Sequence, residues 1–328
     1  MNQSHLPIRP RRNRKSAGVR ALVRETRLHP DQLIYPVFIH DNARDVALES
    51  MPGVKRLGPA GLLREAERAL DLGIKALVLF PKVPEKLKDS DATEALNEKG
   101  LVPKSIRALK KRFRELVVIT DVALDPYNAD GHDGLVRGGK ILNDATVEVL
   151  CRQALVQAAA GADIVAPSDM MDGRVAEIRE ALDGEGFEDV SILSYTAKYA
   201  SAFYGPFRGA LDSAPKAGDK KTYQMDPANT REAAREAALD EAEGADILLV
   251  KPAGPYLDII RRVREQSKLP VAAYQVSGEY LMLKAASQSG WLNERAVVLE
   301  SLAGIHRAGA DMIFTYYAPQ AAKWLAEG

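Results

Sequence analysis

The sequence predicts a (β/α)8 barrel, the TIM-barrel class of α/β fold, carrying an extended N-terminal arm. Three observations predict it. Eight short β-branched, apolar runs alternate with amphipathic stretches, the signature of parallel βα units. One glycine joint recurs ahead of several of these runs. No Gly-x-Gly-x-x-Gly follows the first run, which argues against an open dinucleotide-binding sheet.

The candidate strands fall at 35–40, 76–81, 117–124, 164–168, 191–196, 247–251, 271–276 and 312–317. Amphipathic stretches such as 61–72, 145–160, 231–243 and 296–308 supply helices between them. The joint reads Leu72-Gly73-Ile74-Lys75, Ala160-Gly161-Ala162-Asp163, Glu243-Gly244-Ala245-Asp246 and Ala308-Gly309-Ala310-Asp311. Glycine in such a joint can take the left-handed conformation that ends a helix.

Residues 1–30 differ in composition. Arg9, Arg11, Arg12, Arg14, Lys15, Arg20, Arg24 and Arg27 face Glu25 as the one counter-charge. A nucleic-acid arm, a transit peptide and an arm that packs on a neighbouring subunit all fit such a segment; the subunit arm is favoured. The barrel domain then runs from 31 to 328. Lysines and arginines number 45, as do aspartates and glutamates, so the net charge is zero. That removes the electrostatic case for nucleic acid or an anionic membrane. The single cysteine, Cys151, lies in an apolar helical pattern and reads as core. One cysteine excludes an intrachain disulfide and a multi-cysteine zinc site. No apolar run has transmembrane length, and a cytoplasmic or plastid-stroma enzyme is expected.

The chemistry concentrates at the ends of strands. Lys198 closes Ser194-Tyr195-Thr196-Ala197-Lys198, and Lys251 closes Ile247-Leu248-Leu249-Val250-Lys251. In a parallel α/β barrel the C-terminal strand ends carry the active site. A lysine desolvated there beside another cation loses proton affinity, attacks a carbonyl as a neutral amine and forms a Schiff base. Two such lysines suggest two carbonyl substrates, or one lysine tuning the other.

The connection after Lys198 is too long for a simple βα loop. It passes through Tyr204-Gly205-Pro206-Phe207-Arg208-Gly209 and Gly218-Asp219-Lys220-Lys221 before a helix near Asn229, where Asn229 and Glu232 have capping-box spacing. It reads as a lid whose Arg208, Lys220 and Lys221 close over an acidic substrate. The third strand carries Asp121, followed by a carboxylate-rich loop from Asp125 to Gly134. A hard cation, proton transfer and a polar turn all fit this loop. Ser168, Ser277 and Tyr316 fall at the same rim.

Taken together these motifs resemble the porphobilinogen synthase (5-aminolaevulinate dehydratase) family over nearly the whole chain. The resemblance rests on 121–134, Ala166-Pro167-Ser168-Asp169-Met170-Met171-Asp172-Gly173-Arg174, 194–208, Tyr223-Gln224-Met225, Val250-Lys251-Pro252-Ala253-Gly254 and 274–280. It implies a lyase of tetrapyrrole biosynthesis that joins two 5-aminolaevulinate molecules into porphobilinogen with loss of two waters. It implies a homo-oligomer, commonly an octamer held by the arm. By resemblance Lys251 forms the Schiff base with the substrate that keeps the propionate side, and Lys198 binds the second. Arg208, Lys220 and Gln224 match the holders of the second carboxylate, Ser277 and Tyr316 those of the first. Asp121 and Ser168 match the polar residues near the first substrate's amino group. Zinc-dependent members place three cysteines where this chain has Ala123, Asp125 and Asp133, so zinc is not expected there. The aspartate-rich pattern implies magnesium instead. Glu236 matches an allosteric magnesium position, while metal binding by Asp125 and Asp133 is left open.

Two rivals explain less. An aldolase-type lyase needs one lysine and leaves the second without a purpose. A silent assembly or nucleic-acid-binding protein leaves both lysines and the lid cations without one.

Overall fold

Each candidate run folds as a strand. The structure is a computed structural model and describes residues 6–211 and 215–327. The barrel strands are β1 (Leu33–Ile39), β2 (Ala76–Pro81), β3 (Val117–Val122), β4 (Ile164–Pro167), β5 (Ser191–Lys198), β6 (Ile247–Lys251), β7 (Val271–Gln275) and β8 (Met312–Thr315). Each pairs in parallel with the next, and β8 returns to β1 through Leu33↔Ile313 and Ile34↔Phe314. This closes the predicted (β/α)8 barrel. Both faces of such strands are covered, which is why they read as continuous apolar runs.

Boundaries moved where tertiary pairing outweighed local composition. β1 begins two residues earlier than the run at 35, and β5 continues through Lys198 rather than stopping at 196. The helices Pro59–Asp71, Asn143–Ala159, Arg231–Ala242 and Glu294–Ala308 stand close to their expected places. An additional helix, Ser277–Gln288, precedes the last of these. The four joint glycines all take positive φ: +84° at Gly73, +103° at Gly161, +100° at Gly244 and +127° at Gly309. They end their helices as the repeat implied.

Two sequence expectations need correction. Asn229 does not cap the helix before β6. Thr230 holds the N-cap position without a side-chain cap, and Asn229 donates through Nδ2 to the Glu232 carboxylate at 2.9 Å. Lys221 does not join the site; it is exposed and pairs with Asp219 at 3.6 Å. Cys151 packs half-buried against the core, and burial pushes its thiol up to about 11, as suits a structural cysteine.

The arm makes little use of its own barrel. Neither the short turn Pro10–Arg14 nor the helix Ala17–Leu22 buries a residue, and Ile8 and Leu22 are more than four-fifths exposed. Among the described residues no helix is long and apolar enough to cross a membrane.

Candidate active site

Strand register brings the two lysines together. Lys198 and Lys251 are direct partners across the β5–β6 ladder. The pairing depends on a β-bulge. Ile247↔Leu193 and Leu248↔Ser194 hold one register, Val250↔Ala197 and Lys251↔Lys198 the next, so β5 contains one extra residue. Continued without that residue, the register would set Ala197 beside Lys251 and turn Lys198 to the other face. Backbone bonds pin both ends: the Lys251 carbonyl accepts from Tyr199 N–H at 3.0 Å and the Tyr204 hydroxyl at 3.2 Å. The Lys198 carbonyl accepts from Met225 N–H at 3.0 Å.

The two ammonium groups meet different surroundings. Lys251 Nζ lies within 5.2 Å of four ring centroids, those of Tyr195, Tyr204, Phe207 and Tyr274. Desolvation in this cage, reinforced by the Lys198 charge, lowers its pKa to about 7 against the pull of Asp121, Asp125 and Asp133. A large share of Lys251 is then neutral amine near physiological pH. Lys198 is equally buried, but its Nζ donates to Asp133 Oδ2 at 3.2 Å and to the Ser168 carbonyl. At Lys251 desolvation outweighs the groups that favour the charge, whereas Lys198 keeps a carboxylate in hydrogen-bond contact.

Asp133 anchors the second lysine and the lid. It is almost wholly buried and accepts from Lys220 at 2.8 Å and from Gln224 Nε2 at 3.3 Å besides Lys198. Burial alone would raise its pKa, yet the two lysines hold it well below the usual carboxylate range. Lys220 also lies 3.6 Å from Asp125. Asp121 is half-buried, and one of its carboxylate oxygens is buried without a hydrogen-bond partner. Desolvation and the Asp125 charge push it up to about 7, with Lys198 opposing. An acid poised there can exchange protons at neutral pH.

The remaining expected residues distribute around the same rim. Ser168 follows β4, with its carbonyl on Lys198. Ser277 is fully buried after β7, and its hydroxyl accepts from Phe207 N–H at 3.0 Å. Tyr316 follows β8 and shares a 2.9 Å hydroxyl contact with Tyr274. Arg208 lies in the short helix Gly205–Leu211, but its side chain is outside the described part of the structure. Glu236 is not in this cluster. It is half-buried and lines a neighbouring cavity of about 860 Å³ together with Glu232 and Asp172. The cavity between the lysines, by contrast, measures about 30 Å³. That is room for a water and no more, with Phe207 and Lys220 among the side chains that close it.

The donor sets discriminate between metal positions. Asp125 and Asp133 already face Lys198 and Lys220, two carboxylates against two ammoniums, and this does not suit an added cation. Among the described residues no group of three or more His, Cys, Asp or Glu is arranged to hold a metal ion. Glu236 instead lines the larger cavity with Glu232 and Asp172, where among the described residues no lysine lines the wall beside them except Lys140.

Sequence reading missed the cage. Tyr195 and Tyr274 are barrel-strand aromatics, and Tyr204 and Phe207 lie in the lid motif itself; nothing local marks the four as one cluster. It also missed Glu279, whose carboxylate bonds the loop after Lys251. A tyrosine three residues before a strand-end lysine was the available signal for Tyr195, but only the bulge sets its ring near both amines.

Comparison with known proteins agrees with this geometry. A model of the family described as ALAD, delta-aminolevulinic acid dehydratase, matches residues 7–324. The chloroplastic delta-aminolevulinic acid dehydratase of Physcomitrium patens is 60% identical over 98% of this chain and 74% of its own length. Its counterpart from Oryza sativa subsp. japonica is 61% identical over 98% of this chain and 76% of its own length. The crystal structure of delta-aminolevulinic acid dehydratase (porphobilinogen synthase) from Toxoplasma gondii ME49, in complex with the reaction product porphobilinogen, superposes with a TM-score of 0.97. Its identity is 57%, and the match covers 98% of this chain and 92% of that one. With a family match over nearly its full length and relatives this similar, the chain belongs to the delta-aminolevulinic acid dehydratase family.

Proposed function

We infer that this chain is a hydro-lyase that condenses two molecules of 5-aminolaevulinate into porphobilinogen, releasing two waters. The observation that carries the reading is the register-paired lysines, one caged by rings and one held by Asp133. Two ketones call for two amines. At each lysine the neutral amine adds to the ketone, and loss of water leaves an imine. Loss of an α-proton from one imine gives an enamine that adds to the other imine carbon, forming the C–C bond, and that lysine then leaves as a free amine. The first substrate's amino group adds to the remaining imine carbon, forming the C–N bond and expelling the second lysine, and loss of a ring proton gives the pyrrole. Asp121, poised near neutrality beside Ser168, suits proton transfer at the first substrate's amino group.

The remaining assignments belong to this proposal. Lys251 takes the propionate-side substrate, whose carboxylate Ser277 and Tyr316 hold. Lys198 takes the second, whose carboxylate Arg208, Lys220 and Gln224 hold. Lys220 and Gln224 now bond Asp133, so the incoming carboxylate replaces Asp133 as their partner. Holding both substrates by their far ends supplies orientation, on the order of several kcal/mol of the barrier. Glu236, beside the large cavity, is the magnesium position of this reading. A cation held there would supply positive charge beside Glu236 and act on the catalytic site from outside it. The names of the relatives support a plastid-stroma enzyme over the cytoplasm expected first, and fractionation placing it with secreted protein would refute both.

The test is pyrrole formation from 5-aminolaevulinate after EDTA treatment, with magnesium or zinc restored separately. Pyrrole that returns with magnesium alone is the expected result. Activity that persists in EDTA keeps the reaction and removes the metal. No pyrrole from folded protein overturns the assignment.

Residues 1–30 are the inter-subunit arm of this proposal, holding an octamer. Its described part has unburied apolar side chains and local hydrogen bonds of its own, which supports docking on a second copy. A chain beginning at residue 31 is expected to form a smaller particle by light scattering; an unchanged size would refute the arm's role.

A further inference from the structure

The loop that follows Lys251 is tied to the neighbouring strand end by a carboxylate that the scheme above does not use. Glu279 is the third residue of the helix Ser277–Gln288 and is 7% exposed. Its Oε2 accepts from Val276 N–H at 2.8 Å and from Ala253 N–H at 3.3 Å, and its Oε1 accepts from Gly254 N–H at 2.7 Å. The first bond alone is ordinary helix capping, in which an N3 glutamate reaches back to its own N-cap. The other two come from the loop after β6. Ala253 and Gly254 stand two and three residues after Lys251, and Pro252 between them and the lysine offers no N–H.

The contact is closely fitted. A Cβ on Gly254 would meet Glu279 Oε1 at 2.6 Å, so this carboxylate approaches the backbone at a distance that only glycine leaves open. On its other side, Val276 leads directly to Ser277, whose hydroxyl accepts from the lid at Phe207 N–H. One carboxylate therefore joins the backbone behind the caged amine to the backbone behind the buried serine. A carboxylate desolvated at a site like this is costly unless donors converge on it, and three do.

We propose that Glu279 is a positioning residue that fixes Lys251 relative to Ser277, and so sets the geometry in which the first substrate forms its imine while its carboxylate is held. This rests on the reaction inferred above. It distinguishes the two lysines: Glu279 bonds the segment that directly follows Lys251, while Lys198 lies on β5, on the far side of β6 from β7.

The full-length chain tests it by borohydride trapping of 5-aminolaevulinate, with peptide mass mapping of Lys251 and Lys198 over time. Glu279→Gln preserves size but turns one acceptor into a donor facing N–H groups. In that variant Lys251 labelling and kcat are expected to fall by about 100-fold, while Lys198 labelling stays within about threefold. Glu279→Asp should recover part of the loss. Gly254→Ala leaves Glu279 in place and displaces only its Oε1, and it should show the same selectivity for Lys251; it carries the test if a Glu279 variant fails to fold. Equal slowing at both lysines, or wild-type kcat with only a lower melting temperature, would overturn the proposal. Wild-type protein that traps nothing at Lys251 would overturn the reaction assignment itself, before any variant is compared.

Discussion

Lys251→Met is expected to lower kcat for pyrrole formation by at least about 10³-fold, the scale of losing a covalent nucleophile, while the chain stays folded. The fold survives because methionine is unbranched and polarizable and suits a cage of four rings. The substitution also removes a desolvated amine rather than exposing an unpaired charge. Steady-state assay and thermal melting read both parts, and a rate within tenfold of wild type would remove Lys251 from its role. The pH dependence follows from the same residue. With its pKa lowered to about 7, the wild-type rate of imine formation at Lys251 should climb through that pH and level off above it. Linkage gives a second signature. Between about 7 and the ordinary lysine value the folded chain binds fewer protons than the unfolded one, so stability rises with pH in that window. The methionine variant should lose that increment.

Asp133→Asn has the opposite character and should damage the fold as well as the reaction. The variant leaves Lys198 and Lys220 buried without their shared carboxylate, a change that costs about 3–5 kcal/mol when one partner of a buried pair is removed. Denaturant unfolding at neutral pH should show this loss. The sign of the pH effect is fixed by the depressed pKa of Asp133. Its stabilisation is fully present above the unfolded carboxylate value and disappears only as pH falls through the lower folded value. The gap between wild type and variant should stay constant near neutrality and close in acid. Equal stability at neutral pH would show that the two ammoniums do not depend on Asp133.

The barrel was legible because its signals are local. An apolar run, a glycine joint and a lysine at the end of a strand each occupy a few consecutive residues. The candidate rim was legible for the same reason: Asp121, Ser168, Lys198, Lys251, Ser277 and Tyr316 all fall at or just after strand ends, and the fold does the rest. What composition does not encode is pairing across distance. Lys198 meets Asp133 from 65 residues away, and Lys220 reaches it from 87. That is why the aspartate loop read equally as a cation site. Lys221 and Lys220 are adjacent and chemically alike, yet one faces solvent and the other Asp133, a choice made by how the lid segment folds back. Glu279 has the local signature of a helix-capping glutamate, but only one of its three bonds is to its own cap; the other two reach the loop after β6, 25 and 26 residues away.

The bulge in β5 makes the sheet a ruler. Adjacent strands lie about 4.8 Å apart because backbone hydrogen bonds hold them so. The bases of the two amine-bearing side chains inherit this interval from the main chain, independently of any side chain that surrounds them. Substitutions in the cage, the lid or the carboxylate cluster can change how readily each amine reacts, but they act on a separation already set. An insertion or deletion within β5 or β6 is a different kind of change, because it shifts the graduation itself and turns one of the two amines out of the barrel.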